Sequence, residues 1–188
     1  MVGVIAAALA TMADVHAMMR RLAAAPDMWL AGIGSTLTAV LAVFAAFQLS
    51  LPDRKAAWAL LPLPAAAVWI GASGIGCLRQ WLVPDTHSAT LLEAESCLVF
   101  ILCTSIPLSI LLIAMLRRAC SLQPNLAAVV GGLACASAGA TLINFIHPYD
   151  AAVTDLAVHS VAVAAVIVAN RIVGGRLLAI RSNIFASV

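Results

Sequence analysis

The sequence predicts an all-α fold, a polytopic transmembrane helical bundle, and three observations predict it. Hydrophobic residues make up 64% and charged residues 10% of the 188, against roughly 45–50% and 25% in a soluble domain. The apolar residues gather into five runs, each close to the roughly 20 residues that a helix needs to cross about 30 Å of hydrocarbon at 1.5 Å per residue. Nearly every charge falls in the short breaks between those runs. A soluble chain of this make-up would present apolar patches large enough to aggregate.

Taken in order, the first element is the shortest. Residues 1–12 are apolar but only about half the length of a span. They lack the basic start of a signal peptide, and the following Asp14-Val15-His16 offers no small-residue cleavage motif. This segment is expected to be the end of a shortened first span, which would bring the total to six. The clear spans are expected near 28–51, 56–78, 91–116, 126–146 and 152–173. Leu51-Pro52-Asp53-Arg54-Lys55 closes the first of these, and Val83-Pro84-Asp85 follows the second, which contains Pro62 and Pro64. The third holds Pro107 and ends at Arg117-Arg118; Pro124 precedes the fourth, and His147-Pro148-Tyr149-Asp150 separates it from the fifth. Each break has turn or boundary chemistry. The runs lack apolar/polar alternation and are rich in Ala and Leu, which excludes membrane strands. Short connections make neighbouring helices antiparallel and the chain, 1–188, a single transmembrane domain.

Arginine and lysine give the orientation. With five spans, one face carries Arg54, Lys55, Arg117, Arg118, Arg171, Arg176 and Arg181, and the other only Arg20, Arg21 and Arg79. The positive-inside rule makes the first face, and the C-terminus with it, cytoplasmic. Trp29 and Trp81 then mark the outer interface and Trp58 the inner one. Asp53 is the one acid on the inner face. The outer half collects the other acids, His16, His87, His147 and His159, and Cys77 and Cys97. A net charge of +2 and the lack of a basic run interleaved with aromatics argue against direct nucleic-acid binding. Five cysteines, mostly inside apolar runs, form no disulfide framework.

At the outer mouth, Glu93 and Cys97 stand four residues apart on one helix, and Asp155 and His159 four apart on another, so each pair shares a face. Cys97, Glu93, His147, Asp155 and His159 together offer thiolate, imidazole and carboxylate, the ligand set of a soft or borderline divalent metal. The same spacing also suits a hydrogen-bonded Asp155–His159 pair that locks a helix, with Glu93 and Glu95 at a helix start where the dipole favours acids. No CxxC or HxxxH spacing decides for the metal, and the sequence offers no other cofactor motif. Elsewhere, Gly131, Cys135 and Gly139, flanked by Ala128, Gly132, Ala136 and Ala140, repeat at four-residue intervals as close helix packing requires. Gly71, Gly74 and Gly76 suggest either the same role or a loosened helix end. Asn144 and Asn170 are expected to be interhelical hydrogen-bond donors.

The order of landmarks carries a resemblance. Leu51-Pro52-Asp53-Arg54, Trp58-Ala59-Leu60-Leu61-Pro62-Leu63, Gly76-Cys77-Leu78, Ser96-Cys97, Pro107, Arg117-Arg118, Pro124 and Gly174-Gly175-Arg176-Leu177-Leu178 together resemble the NrsF family of bacterial inner-membrane anti-sigma factors. The resemblance covers most of the chain and implies a six-helix protein that holds an extracytoplasmic-function sigma factor at the membrane and releases it under stress. It also implies sensing through two cysteines. Cys97 matches the first, and the second, which precedes a proline in the last outer loop, is replaced here by His147 before Pro148. A Cys97–His147 pair cannot form that disulfide but retains metal-ligand chemistry.

The expected function is therefore that of a non-enzymatic anti-sigma factor in the inner membrane. Its partners are the sigma factor and the bilayer, and Arg117, Arg118, Arg176 and Arg181 form the contact surface. Two other readings remain open at this point. Cys77 and Cys97 near one face suggest a membrane thiol- or quinone-linked redox protein, although no CxxC pair is present. Asp155 and His159 would line the pathway of a small transporter, although no inverted repeat is visible.

Overall fold

The structure, a computed structural model, describes residues 26–51, 53–82, 91–119, 123–146 and 153–179, with side chains at all of these except 26, 79–81, 91–97, 145–146 and 153–156. The described residues are helical, with no strand among them, and five helices are long and apolar enough to cross a membrane. The partial span expected over residues 1–12 lies outside them.

Helix α1, Pro26–Gln48, ends three residues before the expected Leu51. There the amides of Ser50 and Leu51 turn to the carbonyls three residues back, Phe47 and Gln48, both at 3.1 Å. That tightening uses carbonyls that a helix end leaves unpaired.

The run beginning at Ala56 differs from the single helix expected. It forms a 3-10 turn, Ala56–Leu60, and then α2, Leu63–Leu82. Pro62 and Pro64 have no N–H to give to the carbonyls four residues back, so an α ladder cannot pass through them. Leu61 N–H instead donates to Trp58 O at 3.1 Å, and the ladder restarts with Ala66 N–H on Pro62 O at 2.9 Å. Both prolines thus fall at the helix entry, where a missing N–H costs nothing.

Helix α3, Leu91–Arg118, continues through Pro107. Helix α4, Pro124–Ile146, begins on its proline, two residues before the expected start. Helix α5, Val153–Ala169, widens into a π segment, Asn170–Gly174, and remains helical to residue 179. The expected end at Val173 is therefore too early. Gly174-Gly175 reads as a helix stop, yet Gly175 has φ −58°, ordinary right-handed backbone. The two glycines allow close approach instead: a Cβ on Gly174 would lie 2.9 Å from Ile113 Cδ1, and one on Gly175 2.5 Å from Asn125 Oδ1.

Helix α4 is the centre. In its stretch long and apolar enough to cross a membrane 67% of residues are buried, against 17% in the corresponding stretch of α3, and α1, α3 and α5 all pack on it. For helices apolar enough to cross a membrane, packing depends on close contact of small side chains rather than on expulsion of water. The expected stripe supplies that contact. A Cβ on Gly131 would meet Leu112, one on Gly132 would meet Ile167 and Asn170, and one on Gly139 would meet Thr104 and Ser105. Ala127, Ala128, Ala134, Cys135, Ala136 and Ala140 are buried beside them. Because residues 112–116 of α3 face Gly131 and 101–105 face Gly139, α3 and α4 are antiparallel. Helix α2 packs on α1, where a Cβ on Gly34 would stand 2.8 Å from the backbone nitrogen of Trp69. Outward faces carry Val40, Ile70, Ile110 and Val161, each more than half exposed, an apolar exterior suited to helices that could cross a membrane.

Candidate functional site

One end of the bundle is cationic. Helices α1, α3 and α5 finish there and α2 and α4 begin there, and Leu49, Trp58, Leu116, Ala127 and Leu178 share one buried cluster. Around it Arg54, Lys55, Arg117, Arg118, Arg171 and Arg176 are exposed, with Asp53 the acid among them. The helix C-termini that present Arg117, Arg118 and Arg176 favour cations, since their free carbonyls carry partial negative charge. Arg54 is held differently. Its guanidinium lies 5.6 Å over the Trp58 ring, which Phe44 meets edge-on at 5.9 Å; such a contact contributes about 0.5–1 kcal/mol at an exposed site. Of the four arginines expected to contact a partner, Arg117, Arg118 and Arg176 thus share one exposed end, and Arg181 lies outside the described residues.

At the opposite end is a cavity of about 480 Å³. Helices α2 and α5 barely touch each other, so a cleft opens between them above a floor of α1 and α4. It runs from Leu63 at the start of α2, with Leu133 and Ile167 midway along α4 and the last helix, to Asp27, Asn144, His159 and Ser160. Its middle is apolar, walled by Trp69, Ile70 and Val163. His159 is half-buried at the rim, so of the expected mouth residues it is the one whose side chain the structure locates. Asn144 also lines this cavity.

Between the two ends a set of hydroxyl and amide groups joins the helices. Thr141 Oγ1 donates to Ser35 Oγ at 2.9 Å, linking α4 to α1. Ser105 Oγ reaches the carbonyl of Cys135 at 3.4 Å, linking α3 to α4. Buried Asn170, the first residue of the π segment, donates from Nδ2 to Ser109 Oγ and to Val166 O, both at 2.9 Å, which ties α5 to α3. The interhelical role expected of Asn170 is thus present, whereas the serines and threonines were missed. Their signal is weak, because which hydroxyl faces a neighbour depends on helix rotation, and most of them also satisfy themselves on their own helix. Ser109→Ala should lower stability by about 1 kcal/mol, within the range of interhelical hydrogen bonds. Thermal unfolding in detergent would show this beside Thr36→Ala, whose exposed hydroxyl bonds only Gly32 of its own helix and should change nothing. Equal midpoints for the two variants would remove the Asn170–Ser109 bond from the stabilising set.

The remaining expected site residues are placed only in part. Positions 93 and 97 fall on α3 and positions 155 and 159 on α5, with helical spacing as expected. The side chains of Glu93, Cys97 and Asp155 lie outside the described residues, as does His147 altogether. Among the described residues no three His, Cys, Asp or Glu come together as a metal site. Cys77 and Cys135 are buried and Cys103 is exposed.

A family model described as NrsF, negative regulator of sigma F, matches residues 1–179. No curated protein and no solved structure matches the chain.

Proposed function

The chain belongs to the NrsF family, negative regulators of sigma F, and from that premise we propose that it is an inner-membrane anti-sigma factor without enzymatic activity. It would hold an extracytoplasmic-function sigma factor at its cationic end and release it when stress is sensed at the other. The observation that carries this reading, beyond the family itself, is the clustering of Arg117, Arg118 and Arg176 with Arg54, Lys55 and Arg171 at one exposed end. By the positive-inside rule that end faces the cytoplasm, where a sigma factor is found. Cys97 and His147 are the proposed sensing residues on the outer side, with Glu93, Asp155 and His159 as further candidate ligands for a divalent metal. Release requires two helix arrangements of which a signal favours one.

Two measurements test this. A reporter active only in the cytoplasm should work when fused after Val188 and fail when inserted at Asp85; activity at Asp85 would reverse the orientation. Purification from solubilised membranes of cells that make both proteins should recover a sigma factor with the tagged full-length chain. Its absence when the tagged chain itself is recovered intact and at normal abundance would remove the anti-sigma assignment.

A further inference from the structure

The cavity between α2 and α5 has a shape that the anti-sigma reading does not use. It opens sideways, onto faces where Ile70 is 64% and Leu63 50% exposed, and Ala164 and Ser160 on the α5 rim are exposed too. In a bilayer such faces look into hydrocarbon rather than water. Asp27, Asn144 and His159 lie toward one end, the end at which α1 begins and α4 finishes and where Trp29 is half exposed, with the Ser73 and Ser160 side chains farther along its walls. An occupant must therefore be apolar along its length and polar at its tip, with the tip near the membrane surface.

The volume is sufficient. A methylene is close in size to a liquid water, whose share is roughly 30 Å³, and a cavity of about 480 Å³ has room for an acyl chain. We infer that the cavity is a binding site for an acyl chain of a bilayer phospholipid, which enters between α2 and α5 and brings its ester carbonyls to the Asn144 end. Asn144 carries amide N–H groups, and an ester oxygen is an acceptor that can use them. The inference rests on the membrane placement proposed above. It also deepens that reading, because α5 lines the cavity and continues through the π segment to Arg176, so the chain would sit against the helix that reaches the cationic end.

The test uses the full-length protein in phosphatidylcholine vesicles doped with a phosphatidylcholine that carries a diazirine on one acyl chain. After illumination, labelled residues are mapped by mass spectrometry, with lipid-facing Ile110, 65% exposed, as the reference for casual contact. Trp69 and Val163 should be labelled well above Ile110. Ala164→Phe or Ser73→Phe, which fill the cleft from opposite walls, should each cut the Trp69 label about tenfold, equivalent to about 1.4 kcal/mol of binding, and leave Ile110 unchanged. Label at Trp69 no higher than at Ile110 in the wild-type protein overturns the site. Label that becomes strong only after removal of residues 1–25 also overturns it, by assigning the cavity to the chain's own N-terminal segment. No sigma factor is present in the assay, so its failure leaves the anti-sigma reading standing, and a failed sigma-factor purification leaves the lipid site standing.

Discussion

Gly132→Val should destabilise the bundle by about 3 kcal/mol, the upper part of the range for overpacking a close contact, while Gly74→Ala should be neutral or stabilising. At Gly132 a first side-chain carbon would already stand 2.9 Å from the Cα of Ile167 and 3.0 Å from Cβ of Asn170. The nearer of these is backbone, which no rotamer change moves, so α5 must back away from α4. That displacement also carries Asn170 from Ser109, and the 2.9 Å bond between them is lost. At Gly74 nothing lies within 4 Å, and alanine gains up to about 1 kcal/mol of helix propensity over glycine. The measurement is the thermal midpoint of the purified protein in detergent. A fall of roughly 10 °C is expected for Gly132→Val, taking 2–4 °C per kcal/mol for a chain of this size. Equal midpoints for the two variants would mean that α4 and α5 do not meet at this glycine.

That contrast shows what the sequence could and could not reveal. The stripe through Gly131, Cys135 and Gly139 was legible because small residues at four-residue spacing have few other uses in a membrane helix. Gly71 and Gly74 look similar in sequence, but a Cβ on either would meet nothing within 4 Å, whereas one on Gly34, which drew no notice, would lie against the backbone of Trp69. Periodicity could not separate them. In a soluble protein the buried face is apolar and the exposed face polar, but here exposed Ile110 and buried Ile101 are the same residue type, so hydrophobicity does not report helix rotation.

Helix existence and order were legible from length alone, whereas local boundaries depended on backbone chemistry. Pro62 and Pro64 were visible as irregularities, but that they split the run into a 3-10 turn and an α-helix follows from which N–H groups are missing and where the ladder can restart. The expected end at Val173 fell short because the helix runs on through Gly174-Gly175, where the absence of side chains admits the neighbours Ile113 and Asn125. The cavity had no signal at all, since it arises where α2 and α5 part. The cationic end was the most legible part of the candidate site, because Arg117, Arg118 and Arg176 adjoin the ends of apolar runs that length alone delimits.

Those arginines carry the largest functional effect expected. Arg117→Glu with Arg118→Glu and Arg176→Glu should raise sigma-dependent transcription in cells by about tenfold, the change produced by losing about 1.4 kcal/mol of binding. All three side chains are exposed at the ends of helices, so their reversal leaves the buried cluster around Leu116 and Leu178 intact. Exposed charges at the rim of an interface act mainly on association rate and its salt dependence, so binding to the purified sigma factor should slow and lose most of its sensitivity to salt. Charge reversal near a span also bears on insertion, since the same residues contribute to the positive-inside bias. Arg54, Lys55 and Arg171 remain at that end, and a cytoplasmic reporter after Val188 should stay active in the triple variant. Unchanged transcription with that reporter active and the protein at normal abundance would take these arginines out of the interface, leaving Arg54, Lys55 and Arg171 as the cations at that end still to be tested.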